Sequence, residues 1–418
     1  MRILILHRIP YQKIEYHRAV DHDLHEVTYF GKREALDTLP ASLRCATSER
    51  PGAASAFEEA RSWLTREPKR FDRIISLSEY ELLDAARLRE WLRVPGPAVE
   101  QVRLARDKTL MKTVVLRAGL SAPRFLSLLD FLSSPRSATW QGATVLKPHS
   151  GASSEEVVVF PSVAEAYAAI TANRSRVPGL DTGQRDPAQY EIEEFVKGPV
   201  LHFDGLMQNG HMLTMTASEY VGDCLRFANG EPLGSFHVPF DDDVRAWVST
   251  ALNATGIRDG SFHLEAIRCH GQLVFLEVAN RVGGADVVRT FELATGIHLP
   301  SQELRILLGE HSGLRSCEQP RARWHGWFVY PGHHLNHSAN CGVVGADAVR
   351  RSPCVVHWHE LAVGAPLPRH ITYQAHETPL AGVVATGSAD CTRAWIERLF
   401  ASVSQRTLPL QRASAEVR

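Results

Sequence analysis

Two apolar strands, each interrupted by a single glutamate, constrain this chain more than any other feature in it. Residues 261–286 read SFHLEAIRCHGQLVFLEVANRVGGAD. The two halves alternate as strands do, around the turn dipeptide His270-Gly271. Phe262, Leu264 and Ala266 alternate with His263, Glu265 and Ile267, and Val274, Leu276 and Val278 alternate with Leu273, Phe275 and Glu277. Both strands are apolar enough to be buried, and buried carboxylates are usually paired or bound to metal. A loop of odd length centred on Gly271 would set Glu265 opposite Glu277, with Cβ atoms about 4.5–5.5 Å apart. Two like charges so placed repel. A divalent cation is the economical remedy, since Mg²⁺ takes one or two carboxylates plus phosphate oxygens at about 2.0–2.1 Å. A two-residue loop at His270-Gly271 would instead send the two side chains to opposite faces. The bland alternative leaves either glutamate on a solvated edge.

The rest of the chain supplies the frame for that hairpin. Arg2–His7 and Arg73–Ser78 are apolar runs, and Glu79–Arg93 has helical spacing, so the first hundred residues predict a parallel α/β unit. Leu39–Ala56 reads as a loop, and Pro95-Gly96-Pro97 closes the unit. Leu104–Ala118 carries a helical stripe that stops at Gly119. A smaller unit follows, with strands at Ala143–Pro148, Val157–Phe160 and Tyr190–Val196, a helix at Ala164–Ile170 and an exposed loop at Asn173–Gln189. From Val200 onward the pattern predicts antiparallel strands, with hairpins at Asn209-Gly210 and His270-Gly271. A third region, roughly 320 to 403, mixes short strands with a final helix Thr392–Val403, and the tail after Gln405 has no pattern.

Composition bounds the function. With 418 residues, 44% hydrophobic and 22% charged, the chain is an ordinary globular one of two or three domains. A net charge of -1 argues against a nucleic-acid coat or a polybasic membrane anchor. No apolar run approaches the roughly 18 to 20 residues of a membrane helix, and Ile3–Leu6 is too short for a signal-peptide core. The seven cysteines are scattered singly, without a CxxC pair, which points to a reducing, cytoplasmic setting.

At the glutamate hairpin the sequence resembles the ATP-grasp superfamily, whose members carry one Glu on a strand and then Glu-x-Asn-x-Arg followed by glycines on the next. Glu265 matches the first, and Glu277, Arg281, Gly283 and Gly284 match the second. Position 279 is Ala and the Asn comes one residue later, at Asn280. Either Asn280 substitutes as a ligand or the two glutamates act alone. Further motifs follow in family order. Arg106-Asp107-Lys108 resembles the first ATP lysine, and Val145-Leu146-Lys147-Pro148 the strand of the second. His149-Ser150-Gly151-Ala152-Ser153-Ser154 resembles the small-residue loop over the phosphates, and Glu193-Glu194-Phe195-Val196 the hinge that reads adenine. The resemblance covers roughly residues 70 to 310.

The resemblance implies an α/β chain of ATP-grasp fold. It would have an N-terminal parallel α/β domain (1–105), a small α+β lid and ATP-binding subdomain (106–198), an antiparallel-sheet catalytic core (199–312) and an extra C-terminal subdomain (313–405), with a loose tail at 406–418. It implies a carboxylate–amine ligase that makes an acyl phosphate from ATP, joins it to an amine and releases ADP and phosphate. The loose likeness of the C-terminal region is to amino-acid ligases that make dipeptides and related natural-product amides. Mg²⁺, with Mn²⁺ as a substitute, would sit on Glu265, Glu277 and Asn280. Lys108 and Lys147 would hold the nucleotide phosphates, Lys147 acting in catalysis as well. Ser150, Gly151, Ser153 and Ser154 would close over them. Glu193 would accept from the adenine amino group, with backbone from Phe195 and Val196. His202 or Asp204 would hold the ribose, and Arg281 would bind the carboxylate or acyl phosphate. Residues of about 125–195 would move as a lid. The partners implied are small-molecule carboxylate and amine substrates, with no nucleic acid and no membrane, and a homodimer is compatible with the relatives.

Competing readings are an ATP-grasp carboxylase or purine-pathway-type ligase, a non-catalytic ATP-binding module, an adenylating ligase that releases AMP and pyrophosphate, and a zinc protein. The last would use His333, His334, His337 and Cys341, or His357, His359 and Glu360, although neither group has HExxH or CxxC spacing.

Overall fold

The computed structural model describes residues 1–311, 313–314, 323–335 and 338–406. Cys317, His337 and the tail from residue 407 lie outside the described residues.

The first sheet is wholly parallel. It contains β1 (Arg2–His7), β2 (Glu26–Gly31), β3 (Ala46–Glu49) and β4 (Arg73–Ser76), in the order β3-β2-β1-β4. The run Ile3–Leu6 does not alternate because both faces of β1 are covered. Ile3 and Ile5 pack with Tyr16 and Tyr29 on one side, and Leu4 and Leu6 with Phe30 and Trp63 on the other. After β4 the helix predicted from Glu79 starts late. Glu79–Glu81 forms a 3₁₀ turn and the helix spans Leu82–Leu92, so Glu79 stays at the carboxyl end of the sheet.

The stripe predicted as one helix over Leu104–Ala118 is two helices, Val99–Leu104 and Lys108–Arg117. Asp107 divides them. Its side chain accepts from the amides of Thr109 and Leu110, an N-cap that starts the second helix. Lys108 is thereby placed in a first turn.

The small sheet contains β5 (Phe125–Ser127), β6 (Thr144–Pro148), β7 (Val158–Phe160) and β8 (Tyr190–Glu194), antiparallel in the order β5-β8-β6-β7. It packs through Leu146, Phe160 and Ile192 onto Phe131 and Trp140. Within Asn173–Gln189 the chain makes short helical turns at Pro178–Asp181 and Pro187–Gln189.

The large sheet has eight strands, every neighbouring pair antiparallel. Its strands are β9 (Val200–Gln208), β10 (His211–Val221), β11 (Leu233–Val238), β12 (Gly260–Cys269), β13 (Gln272–Ala279), β14 (Trp324–Tyr330), β16 (Val355–Glu360) and β17 (Leu380–Thr386). The strands β15 (Val343–Val344) and β18 (Ser404–Gln405) pair separately. The order is β13-β12-β9-β10-β11-β14-β17-β16, so the C-terminal strands continue the sheet that carries the glutamates. Helix Ala389–Ser402 crosses one face of it. The close approach depends on Gly326, where a Cβ would meet Thr392 Cγ2 and the Ser235 carbonyl oxygen at 2.7 Å each.

The hairpin resolves the register question in a way neither expectation contained. Cys269 pairs with Gln272, so the loop is the two-residue His270-Gly271, at φ 49° and 81°, as a type I′ turn requires. A plain two-residue hairpin would set Leu276 opposite Glu265. The register shifts between Glu265 and Ala266, however. Ala266 faces Phe275, Glu265 faces Glu277, and Leu276 is the extra residue of a bulge. The odd residue lies in the strand rather than in the loop.

Candidate active site

The facing glutamates form the centre of a polar site. Glu265 is buried and its Oε1 accepts from the Tyr220 hydroxyl at 2.7 Å. Glu277 is more open, its side chain 35% exposed, and Lys108 Nζ lies 2.9 Å from its carboxylate. The Asp107 cap makes that reach possible, and the Lys108 ammonium also donates to the Gly151 carbonyl at 3.2 Å. Lys108 therefore joins the hairpin to the small-residue loop. In that loop the Ser150 hydroxyl donates to the Arg106 carbonyl at 3.1 Å. Ser153 and Ser154 hold φ of 61° and 55°. Consecutive left-handed serines are costly, and such strain concentrates where a backbone is shaped for a ligand.

Arg281 leaves the hairpin beyond Glu277 and turns to the parallel domain. Its Nε donates to Glu79 at 2.7 Å, and Arg106 binds the other oxygen of the same carboxylate. Burial alone would raise the Glu79 pKa, but Arg281 and Arg106 outweigh it and hold it down at about 2. Asn280, expected as a third metal ligand, does not join the glutamates. Its amide nitrogen donates to the carbonyls of Asp259, at 3.1 Å, and Ser261, at 2.8 Å. Asn280 follows the end of β13 at Ala279, and those two backbone carbonyls hold its side chain at the start of β12, away from Glu265.

Glu193 also differs from expectation. Its carboxylate is buried between Lys112, at 2.6 Å, and Lys147, at 2.7 Å. Glu191, two residues earlier on the same face of β8, lies 2.7 Å from Lys112. Burial pushes the Glu193 carboxyl up, while the two ammonium groups outweigh that and hold it at about 2. The carboxylates of Glu193 and Glu191 in turn raise the Lys147 pKa against its own burial. Glu193 is thus the counter-ion of two lysines rather than a free acceptor for adenine. Phe195 and Val196 follow the end of β8, with Phe195 48% exposed and its amide donating to Ala143.

His202 is not placed to hold a ribose. Nδ1 donates to Asp204 at 2.6 Å, and Nε2 shares a hydrogen bond with the Ser235 hydroxyl at 2.6 Å. Asp204 is equally committed, since its second oxygen accepts from His263 Nδ1 at 2.7 Å. Both side chains are buried mid-strand. His263 Nε2 lies 3.5 Å from Glu265. Burial disfavours the charged imidazole, but Asp204 outweighs it and brings the His263 pKa up to about 10.

The registers reveal a row that sequence reading missed. Glu277 faces Glu265, Glu265 faces His202, His202 faces Ser218 and Ser218 faces His237, across five strands. Directly opposed residues share one face of a sheet. His325 of β14 lies beside His237, ring centroids 6.2 Å apart, and its buried Nδ1 has no hydrogen-bond partner. A buried polar row starting at two carboxylates is what a binding floor requires. Lys112 was missed as well. Its signal was the i, i+4 spacing from Lys108 on the buried face of one helix.

Among the described residues, one set of three potential metal ligands comes together, His202, Asp204 and His263. Hydrogen bonds among these three explain the cluster. Among the described residues, the histidines named for zinc form no such set, and His333 Nε2 donates to the Ala228 carbonyl at 3.1 Å.

Comparison with known proteins bears on this arrangement. No family model matches the sequence. The chain is 26% identical over 242 residues to an L-arginine-specific L-amino acid ligase of Bacillus subtilis, a match spanning 56% of this chain and 57% of that one. The crystal structure of an L-amino acid ligase from Bacillus licheniformis superposes with a TM-score of 0.69 over 98% of both chains, at 19% identity. The fold is ATP-grasp. An N5-carboxyaminoimidazole synthetase from Staphylococcus aureus, solved with ADP, shares it at a TM-score of 0.67, with 13% identity and 96% of each chain covered. Both neighbours support this architecture. Among the described residues, no helix is long and apolar enough to cross a membrane.

Proposed function

We propose that this chain is an ADP-forming carboxylate–amine ligase acting on amino acids. The observation that carries the reading is the facing pair Glu265 and Glu277, with Lys108 on one glutamate and Arg281 at the hairpin exit. The partial similarity to an L-amino acid ligase supports the substrate class. A substrate carboxylate attacks the γ-phosphorus of ATP, ADP leaves, and the acyl phosphate then loses phosphate to an attacking amine.

The residues divide that work by charge. Two opposed carboxylates are a hard-oxygen set that suits Mg²⁺, and Mn²⁺ takes the same ligands. Glu265 and Glu277 would hold the ion, which when bound supplies charge neutralisation for the phosphates. Lys108 and Lys147 hold the nucleotide phosphates, and the loop of Ser150, Gly151, Ser153 and Ser154 covers them with backbone amides. Backbone at Phe195 and Val196 reads the adenine edge. Glu191 and Glu193 keep Lys112 and Lys147 charged and aimed. Arg281, oriented by Glu79, stabilises the transferring phosphoryl group and the acyl phosphate. Closure of the small domain keeps water from the acyl phosphate.

The test is nucleotide turnover with Mg²⁺ against paired amino acids, quantifying ADP, AMP and phosphate. ADP and phosphate that appear only with particular pairs establish the ligase. Bicarbonate-dependent ADP release would point to a carboxylase, AMP to an adenylating enzyme, and ATP binding without turnover to a non-catalytic module.

A further inference from the structure

The carboxyl ends of β1 and β4 carry an exposed cation that the reading above does not use. In open α/β sheets the crevice beyond the carboxyl ends of the strands is where ligands bind. Arg8 follows β1 directly and Tyr80 lies in the turn after β4. The Arg8 guanidinium carbon sits 4.5 Å from the centroid of the Tyr80 ring. Both side chains are exposed, Tyr80 to 47%. Nearby arginines are occupied: Arg50 by Glu59 and Glu81, Arg106 and Arg281 by Glu79. Among the described residues Arg8 has no ion pair, so its seat is an aromatic face and its N–H fork is open.

The place is next to the chemistry. Tyr80 adjoins Glu79, the carboxylate that orients Arg281. Its phenol feels the charges of Glu155, at the end of the small-residue loop, and of Arg281 itself. The Arg8–Tyr80 pair therefore borders the crevice between the parallel domain and that loop.

A ligase joining two amino acids meets two α-carboxylates and must activate one. The other needs a cation away from the phosphoryl group, or it competes for activation. Arg281 and the two lysines belong to the phosphates. Resting on the ligase reading, we propose that Arg8, seated on Tyr80, is the specificity-determining residue that takes the substrate carboxylate that is not activated. A planar fork on an aromatic face suits a carboxylate bound through both oxygens.

The test compares wild type with Arg8→Gln, Arg8→Lys and Tyr80→Ala, using amino-acid pairs and the matching amino-acid amides. Arg8→Gln should raise KM for one amino acid by about 10- to 100-fold, the scale of a lost charge-assisted hydrogen bond. The kcat and the KM for ATP should hold. Arg8→Lys should recover part of the loss, and Tyr80→Ala should show a smaller rise for the same substrate. The amide of that amino acid should be used equally by wild type and Arg8→Gln. Unchanged KM values in Arg8→Gln would overturn the assignment, as would a rise in KM for ATP or equal losses for acid and amide. An inactive wild type would refute the ligase reading and this inference with it, whereas an active wild type matched by Arg8→Gln would refute this inference alone.

Discussion

Glu265 and Glu277 stand directly opposite one another although the turn between their strands has only two residues. The bulge at Leu276 makes the pair. Without it Glu277 would point to the other face of the sheet. The carboxylates are partly compensated by Tyr220, His263 and Lys108, which leaves Glu277 open to a cation.

Glu277→Ala should therefore abolish Mg²⁺-dependent ATP turnover while leaving the fold intact, because Glu277 is the more exposed of the two. A loss of at least about 10²-fold in kcat is the scale expected for removing a group that stabilises transferring charge. Chelation of divalent ions should reproduce the loss in wild type. Circular dichroism and turnover measured on the same preparation check both halves of the prediction.

Lys112→Met should behave differently. Lys112 is fully buried between Glu191 and Glu193, and removing one partner from a buried charge cluster costs about 3–5 kcal/mol. Denaturant unfolding should show a stability loss of that order. A change below about 1 kcal/mol would mean that water or backbone already satisfies the two glutamates.

Glu79→Gln should lower kcat/KM by about 10- to 100-fold while ATP affinity changes little, since Glu79 orients Arg281 through two nitrogens. Binding and turnover measured separately decide it. Weaker ATP binding with normal turnover would move Arg281 out of the transition state.

The pH dependence has a definite sign. His263 is raised from the ordinary value of 6.5 to about 10 by Asp204, against its own burial. Its contribution to stability is complete below pH 6.5 and is lost as pH rises through about 10. In metal-free protein, the thermal midpoint should fall between those limits, and more steeply in wild type than in His263→Gln. Parallel slopes would count against a charged His263.

Much of this was legible in one dimension because it rests on local rules. The run at β1 and the turns at Asn209-Gly210 and His270-Gly271 follow from periodicity and turn chemistry, while the order of lysines, loop and glutamates is legible only as a resemblance to the ATP-grasp superfamily. The boundaries moved where one side chain intervened, as at Asp107, whose cap split a continuous apolar stripe into two helices. For Asn280 and His202, residue type alone does not say which face a side chain takes, or whether its hydrogen bonds are already made.

What the sequence determined by itself was the inventory, namely parallel and antiparallel units and a set of charged residues whose order resembles that of the ATP-grasp superfamily. What only the tertiary structure decided was pairing. The Leu276 bulge sets the face that Glu277 takes, while the Lys112–Glu193 contact across 81 positions and the Arg281–Glu79 contact across 202 join distant segments. Their stability comes from burying opposite charges together, and a linear pattern of residue types carries no record of which charges will meet.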